Sequence, residues 1–441
     1  MSPFGYSRLK VREFTGLSTF QILAYFRRAI VYTFLSIYLR SLGLSTTEVT
    51  LMGTVGMIAN ASTQSFLWGT LLDKYRRPRE FVAFGEFFAG VGHFFMVMGY
   101  VFFLGLSQPI VAGYVIILSL GGIEVFWSMS NVGWSALVSE LTDIDERKKL
   151  MGQFSTIGGF GGIGGALLGG YLYDLGGFAD GTIFIIAAGI MIFSSVIVYL
   201  TVRNRDERGI DLSEEDPKEM PSLSRIPHQL RTGYLLLIVA LMFINFGRNS
   251  ISIITSLFLE DPTGFGASGV DIALYSNVRS IANMIAGLMV GSVVAKSDDN
   301  KAMMAGTIAS ILGIVWLTMA PTLTWALIAS FLRGASEVII AAASYSIVAR
   351  MAPVEYRGRL FAYYNATFFL SWGIAATLIA GPVADILIAL GASNADAYRG
   401  SFLTAVVLVS IGVAMLLFAF RYARQNGLSH SDEQSSVVLS E

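Results

Sequence analysis

Residues Phe26 to Leu39 read FRRAIVYTFLSIYL, which sets Arg28 near the middle of an apolar run beginning near Leu17. An arginine at the centre of a lipid-crossing helix costs roughly 3 kcal/mol on insertion scales, so its place there calls for a reason. The feature returns half a chain later. Phe246 to Leu259 reads FGRNSISIITSLFL, and without gaps Phe26 meets Phe246, Arg28 meets Arg248, Ser36 meets Ser256 and Leu39 meets Leu259. Glu124 and Glu337 also stand at the centres of apolar stretches, while Arg279, Arg333, Glu86 and His93 lie nearer the ends of theirs. Counting Arg27, five arginines face three glutamates. A negatively charged cargo would match that surplus, because a guanidinium holds carboxylate or phosphate through two parallel hydrogen bonds.

Plainer roles compete with this one. Arg333 and Glu337 are four apart, a helical spacing at which they can neutralise each other. Glu124 can lock Arg28 in the same way, or it can carry a proton: burial favours the neutral acid, a nearby arginine the ionised one. Cargo that occupied the arginine would then free Glu124 to take up a proton, and Glu337 is a second candidate. Arg27 must point about 100° from Arg28, so only one of them faces a cavity squarely. Asn60, Asn283, Trp127, Asn131, Tyr363 and Asn365 supply further polar and aromatic contacts for a cargo. Asn60 and Asn283 share a repeated Ile-Ala-Asn triplet, which can equally serve interhelical hydrogen bonds.

The elements that must position these groups are membrane helices. Charged residues make up 14% of the chain, against about 25% in soluble domains, and mean hydropathy is +0.63. With about 20 apolar residues needed per crossing, twelve spans are expected near 17–42, 48–72, 81–104, 110–138, 151–175, 181–201, 232–259, 270–295, 302–320, 324–350, 359–389 and 400–422. If Met1 is cytoplasmic, the loops on its side carry 23 Lys and Arg and the opposite loops only Arg40 and Arg399. That bias predicts an even number of spans with both termini inside. The first apolar run is too long, and too rich in arginine, to be expected as a cleaved leader. Cysteine is absent, so neither disulfides nor thiolate metal sites are expected.

The repeat continues beyond the first span. Ile58-Ala59-Asn60 matches Ile281-Ala282-Asn283, Gly69–Lys74 matches Gly291–Lys296, Glu124-Val125 matches Glu337-Val338, and Arg147 matches Arg357. Two six-helix repeats make a carrier fold with its site at mid-depth. The expected division is an N-terminal bundle at 1–201, a cytoplasmic linker at 202–231, a C-terminal bundle at 232–424 and a disordered tail at 425–441.

Residues 69–79, GTLLDKYRRPR, resemble the signature loop between the second and third helices of the major facilitator superfamily. Gly69 matches its close-packing glycine, Asp73 its acid, and Lys74, Arg76, Arg77 and Arg79 its basic cluster. Arg76 stands where the family usually has glycine. The resemblance implies an all-α membrane protein of twelve helices in two pseudo-symmetric bundles, working by alternating access. It also implies a gating role for Gly69, Asp73, Arg76, Arg77, Arg147 and Arg357. Arg28, Arg248 and Glu124 match, in helix order and depth, residues of the organophosphate antiporter and anion–cation symporter branches. Gly152, Gly161, Gly165, Ala166, Gly169 and Gly170 follow the fifth-helix motif of the drug–proton antiporters, with Ala166 replacing its proline. Small residues at that spacing also serve close packing alone.

A nucleotide-driven pump would need a G-x4-GK[ST] loop, which is absent, and His93, His228 and His430 are too scattered for a catalytic set. The expectation is a non-enzymatic, multi-pass carrier of the cytoplasmic (inner) membrane, without cofactor, metal or nucleic acid. It moves a small organic anion with protons as the linked ion, and a monomer is the expected state. Drug–proton antiport of amphiphilic compounds is the alternative.

Overall fold

The computed structural model describes residues 9–142, 144–203, 228–290, 298–352 and 357–427. The helices are α1 (Val11–Tyr32), α2 (Leu35–Ser41), α3 (Thr46–Thr63), α4 (Gly69–Tyr75), α5 (Pro78–Gly105), α6 (Pro109–Leu141), α7 (Ile144–Asp174) and α8 (Thr182–Thr201). They continue with α9 (His228–Ser250), α10 (Ser252–Glu260), α11 (Gly269–Val290), α12 (Asp299–Met319), α13 (Leu323–Met351), α14 (Arg357–Gly373), α15 (Gly381–Ala389) and α16 (Asn394–Gln425). Among the described residues there is no strand. The pairs α1–α2, α3–α4, α9–α10 and α14–α15 are interrupted single spans, so the helices follow the twelve expected crossings in order. Most of the expected linker and tail lies outside the described residues.

Local chemistry explains several boundaries. Ser45 and Glu48 form a capping box at the start of α3, with Ser45 N–H donating to Glu48 Oε2 at 2.6 Å and Glu48 N–H to Ser45 Oγ at 3.3 Å. Pro78 and Pro109 open α5 and α6, where a missing N–H costs nothing. Between α1 and α2 the Phe34 N–H bonds Val31 O, three residues back, and this tighter turn interrupts the span without proline or glycine. Wider π turns at Gln64–Trp68 and Ala376–Ala380 interrupt the second and eleventh spans.

Eight of the described helical spans are long and apolar enough to cross a membrane, or nine if the pair Leu360–Gly373 and Ala376–Ala389, bent by 47°, counts as one. The second, fifth, eighth and eleventh spans are the ones that do not pass as straight apolar helices. One falls in each consecutive group of three, and each is interrupted, glycine-rich or polar.

The described chain divides into two units. The first holds α1 to α8, α10, most of α11 and the opening residues of α16. The second holds α9, the end of α11, α12 to α15 and the rest of α16. In the second unit, Asn245 and Asn249 of α9 donate to Thr367 Oγ1 (3.1 Å) and Ser371 Oγ (2.8 Å) of α14, joining the two helices through a buried polar seam.

In the first unit a glycine ridge sets the orientation of α1. A Cβ added at Gly161 would lie 2.1 Å from Ile22 O, at Gly165 2.2 Å from Phe26 O, and at Gly169 2.9 Å from Ile30 O. Backbone thus meets backbone along Ile22, Phe26 and Ile30, four residues apart, which only glycine permits. Gly170 meets the Gly269 backbone in the same manner, whereas Gly152 faces open space. The fifth-helix spacing is therefore used for close packing. With one face of α1 committed to α7, Arg27 and Arg28 are forced into two different surroundings. Gly165→Ala is expected to destabilise the detergent-purified protein by about 1–3 kcal/mol, since the carbonyl it meets cannot yield. Gly162→Ala, with nothing within 4 Å of the added carbon, is expected to be neutral or mildly stabilising. Thermal unfolding of both variants checks the pair.

Candidate functional site

Arg28 is exposed to a recess of about 230 Å³ in the first unit, lined also by Gln21, Tyr25, Trp127, Asn131 and Trp134. Along one wall Trp134 stacks on Phe20, with centroids 5.2 Å apart, and meets Phe154 at a tilt, with centroids 5.4 Å apart. Arg28 makes no ion pair among the described residues. Three expected cargo contacts, Arg28, Trp127 and Asn131, thus converge on one aromatic recess. Trp127 and Asn131 do so because four residues on α6 return to the same face.

Arg27 turns inward and is 4% exposed. Its guanidinium lies over the Trp127 ring, 5.3 Å from the centroid, and its Nε has no hydrogen-bond partner among the described residues. It acts electrostatically on both Glu86 and Glu124, and Arg28 acts on Glu124 more weakly. Glu124 is buried. Its Oε1 accepts from the Tyr32 hydroxyl at 2.9 Å and its Oε2 from Asn60 Nδ2 at 2.8 Å. Asn60 is thereby occupied by Glu124, as an interhelical bond. Trp68 Nε1 donates to Val125 O at 2.7 Å, and Thr63 Oγ1 lies 2.7 Å from Ser128 Oγ, so the second span is also fastened to α6 just beyond Glu124.

Glu86 is 1% exposed and accepts from Ser130 Oγ at 3.0 Å. Sequence reading set Glu86 aside as lying near a helix end and passed over Tyr32. The available signal was register: Glu86 and His93 are seven apart, and a face that repeats acid and imidazole inside an apolar helix points inward. His93 is buried, its Nδ1 2.9 Å from Ala89 O.

The other expected residues are placed as follows. Arg248 is buried, with its guanidinium 6.0 Å from the Phe368 ring centroid. Arg279 and Glu337 are half-buried and engaged with other groups. Asn283 is half-buried, and its Oδ1 finds no partner among the described residues. Tyr363 and Asn365 are exposed, off the α14 face whose Thr367 and Ser371 meet α9. In the signature loop Asp73, Arg76 and Arg77 are exposed, and Asp73 makes no hydrogen bond or ion pair among the described residues. Gly69 closes the π turn, donating its N–H to Gln64 O. The side chains of Arg147 and Arg357 lie outside the described residues.

The model of the Major Facilitator Superfamily matches residues 17–376 and 250–440. The chain belongs to the Major Facilitator Superfamily. It is 23% identical over 349 residues to the Multidrug resistance protein MdtG of Escherichia fergusonii, covering 77% of this chain and 80% of that one. A protein of the same name from Enterobacter lignolyticus is 24% identical over 351 residues, with 77% and 78% covered. Among solved structures, a bacterial homologue of the human lysosomal transporter Spinster, inward-facing and occupied, has a TM-score of 0.67 at 15% identity, over 93% of this chain and 96% of that one. The nucleoside transporter NupG has a TM-score of 0.69 at 12% identity, over 93% and 99%. At such identities these likenesses show the fold alone. As a superfamily member the chain is a multi-pass membrane transporter of small molecules and not an enzyme.

The superfamily loop has one consequence specific to this chain. Arg76 ends α4 with φ 53° and ψ 38°, left-handed backbone at the position where the family usually has glycine. A non-glycine residue there costs roughly 1–2 kcal/mol, partly offset because glycine loses more freedom on folding. Arg76→Gly is expected to raise the thermal midpoint by the equivalent of about 0.5–1 kcal/mol. An unchanged or lower midpoint would mean that the arginine side chain compensates for its backbone.

Proposed function

We propose that the chain carries a small organic anion with an aromatic or otherwise apolar body, linked to proton movement. The observation that carries this reading is Arg28: a cation at mid-helix, open to a recess walled by aromatic rings and held by no acid among the described residues. Trp127, Trp134 and Phe20 offer flat apolar area, Asn131 and Gln21 offer hydrogen bonds, and Arg28 offers the fork that a carboxylate or phosphate fits. Arg248, its counterpart in the repeat, is proposed as a second contact, with Arg279, Asn283, Tyr363 and Asn365 as further ones. Glu124 is proposed as the proton carrier and Glu337 as its repeat-related echo. The loop residues Gly69, Asp73, Arg76, Arg77, Arg147 and Arg357 are proposed to gate. Drug–proton antiport is the second reading. The names of the two curated relatives favour it, and the same aromatic walls would accept a lipophilic cation if Arg28 did not repel it.

Thermal shift with benzoate, phenyl phosphate and tetraphenylphosphonium separates the two. A ligand at a hundred times its Kd stabilises by about 2.7 kcal/mol. The anions are expected to give such a shift in the wild type and to lose it in Arg28→Ala. Stabilisation by tetraphenylphosphonium, indifferent to Arg28→Ala, would establish the second reading instead. In proteoliposomes, Glu124→Gln is expected to abolish benzoate uptake driven by a pH gradient while leaving benzoate exchange intact.

A further inference from the structure

The α7 wall of the recess runs into a glycine. Met151, Phe154 and Ser155 line the recess from α7. Gly158 follows them on the same stripe, at the i, i+3, i+4, i+7 spacing of one helical face. Gly158 is buried, whereas the Tyr25 beside it lines the recess and is 41% exposed. Tyr25 belongs to the recess face of α1, four residues after Gln21 and three before Arg28. A Cβ added at Gly158 would lie 2.8 Å from Tyr25 Cδ2 and 3.0 Å from both its Cε2 and its Cγ. One edge of the tyrosine ring thus rests against the bare backbone of α7, in the place a side chain would take.

Gly158 differs from the next glycines of α7 in what it meets. Gly161 and Gly165 meet the backbone of Ile22 and Phe26, which flank Tyr25 on α1. Those two contacts fix the distance between the helices, because backbone resting on backbone cannot yield. At Gly158 the three nearest atoms all belong to a side chain that can turn. Ordinary carbon contacts lie at about 3.5–4.0 Å, so a methyl group there would drive the ring back by roughly 0.7–1.2 Å. With α1 pinned at Ile22 and Phe26, the helix cannot retreat, and Tyr25 has to rotate about its own side-chain bonds. Its hydroxyl makes no hydrogen bond among the described residues, so packing alone holds the ring. The open volume beside it is the recess.

We propose that Gly158 determines how broad a cargo the recess admits, by giving the Tyr25 ring a seat on α7. Gly158 is a positioning residue, since it acts through Tyr25 and touches no cargo itself. This rests on the reading of the recess as the cargo site. With the ring seated, the recess keeps its volume of about 230 Å³, and Arg28 is reachable by an anion whose apolar body is broader than one ring. A side chain at 158 pushes the ring into that volume, three residues from Arg28. A fused two-ring body loses room, whereas a single ring can settle away from the intrusion. Apolar pockets discriminate on this scale, one methylene being worth roughly 10–200-fold.

Thermal-shift titration of the detergent-purified full chain reads the apparent Kd of benzoate and of naphthoate. Gly158→Ala is expected to weaken naphthoate about tenfold or more and benzoate less than about twofold. Adding Tyr25→Ala is expected to cancel the effect, so that the naphthoate-to-benzoate ratio of the double variant equals that of Tyr25→Ala alone. An equal loss for both anions overturns the proposal, as does a loss that persists without the ring. Gly162→Ala, whose added carbon meets nothing within 4 Å, is expected to leave the ratio unchanged, and the same change there would overturn the role of position 158. If Gly158→Ala does not fold, the double variant is expected to, because the ring is the nearest obstacle, and failure of both overturns the seat. Fluorine NMR of a fluorotyrosine in place of Tyr25 needs no cargo. Its resonance is expected to move in Gly158→Ala and to stay in Gly162→Ala, and an unmoved resonance overturns the seat whatever binds. If neither anion binds, the same ratio is read with phenyltrimethylammonium and tetraphenylphosphonium. A ratio that changes there sinks the anion reading and leaves the role of Gly158 standing.

Discussion

A guanidinium inside an oily bundle has to be matched by nearby negative charge, and the first unit is arranged around how Arg27 is matched. At low dielectric the interaction of charges a few ångströms apart is strong, and so is the penalty for leaving one alone. Glu86 on α5 and Glu124 on α6 supply the match from two directions. The bond from Asn60 to Glu124 follows from the same need, since a buried carboxylate must have its oxygens satisfied, and Thr63 and Trp68 add further bonds between the second span and α6.

The adjacent arginine has the opposite fate for a geometric reason. Successive residues on a helix point about 100° apart. Gly161, Gly165 and Gly169 commit the Ile22–Phe26–Ile30 face of α1 to backbone contact with α7. What remains is one direction into the bundle and one toward the recess. Arg27 takes the first and Arg28 the second. The glycine ridge is thus part of the site although no glycine touches a charge. It holds the helix at a rotation where a buried cation and one open to the recess can be neighbours in sequence.

The interrupted spans belong to the same logic. The second, fifth, eighth and eleventh combine π turns, glycine runs and polar residues, features that loosen a helix or let it approach another closely. The rest are long and apolar enough on average to stand in lipid, although the first and seventh are also interrupted. A carrier that works by alternating access needs both kinds, one to move or pack closely and one to stand in lipid.

Much of this was legible in the chain. Hydropathy and the segregation of Lys and Arg to alternate loops determined the order of the spans, because burial in lipid leaves no other solution for long apolar segments. Arg28 in its run, and its echo at Arg248, stood out as candidates, because charge is costly there. The loop around Gly69 and Asp73 carried the family. What the chain could not decide was pairing. Glu124 sat beside Arg28 as readily as beside Arg27 when only helix depth was known, and Asn60 could as well have met a cargo as a carboxylate. Glu86 looked peripheral along its own helix and is interior only because α6 and α1 close over it. Depth in the membrane is a one-dimensional property that composition encodes residue by residue. Which side chain meets which depends on the rotation of each helix about its axis, and that rotation is settled by contacts such as Gly165 on Phe26, made between residues far apart in sequence.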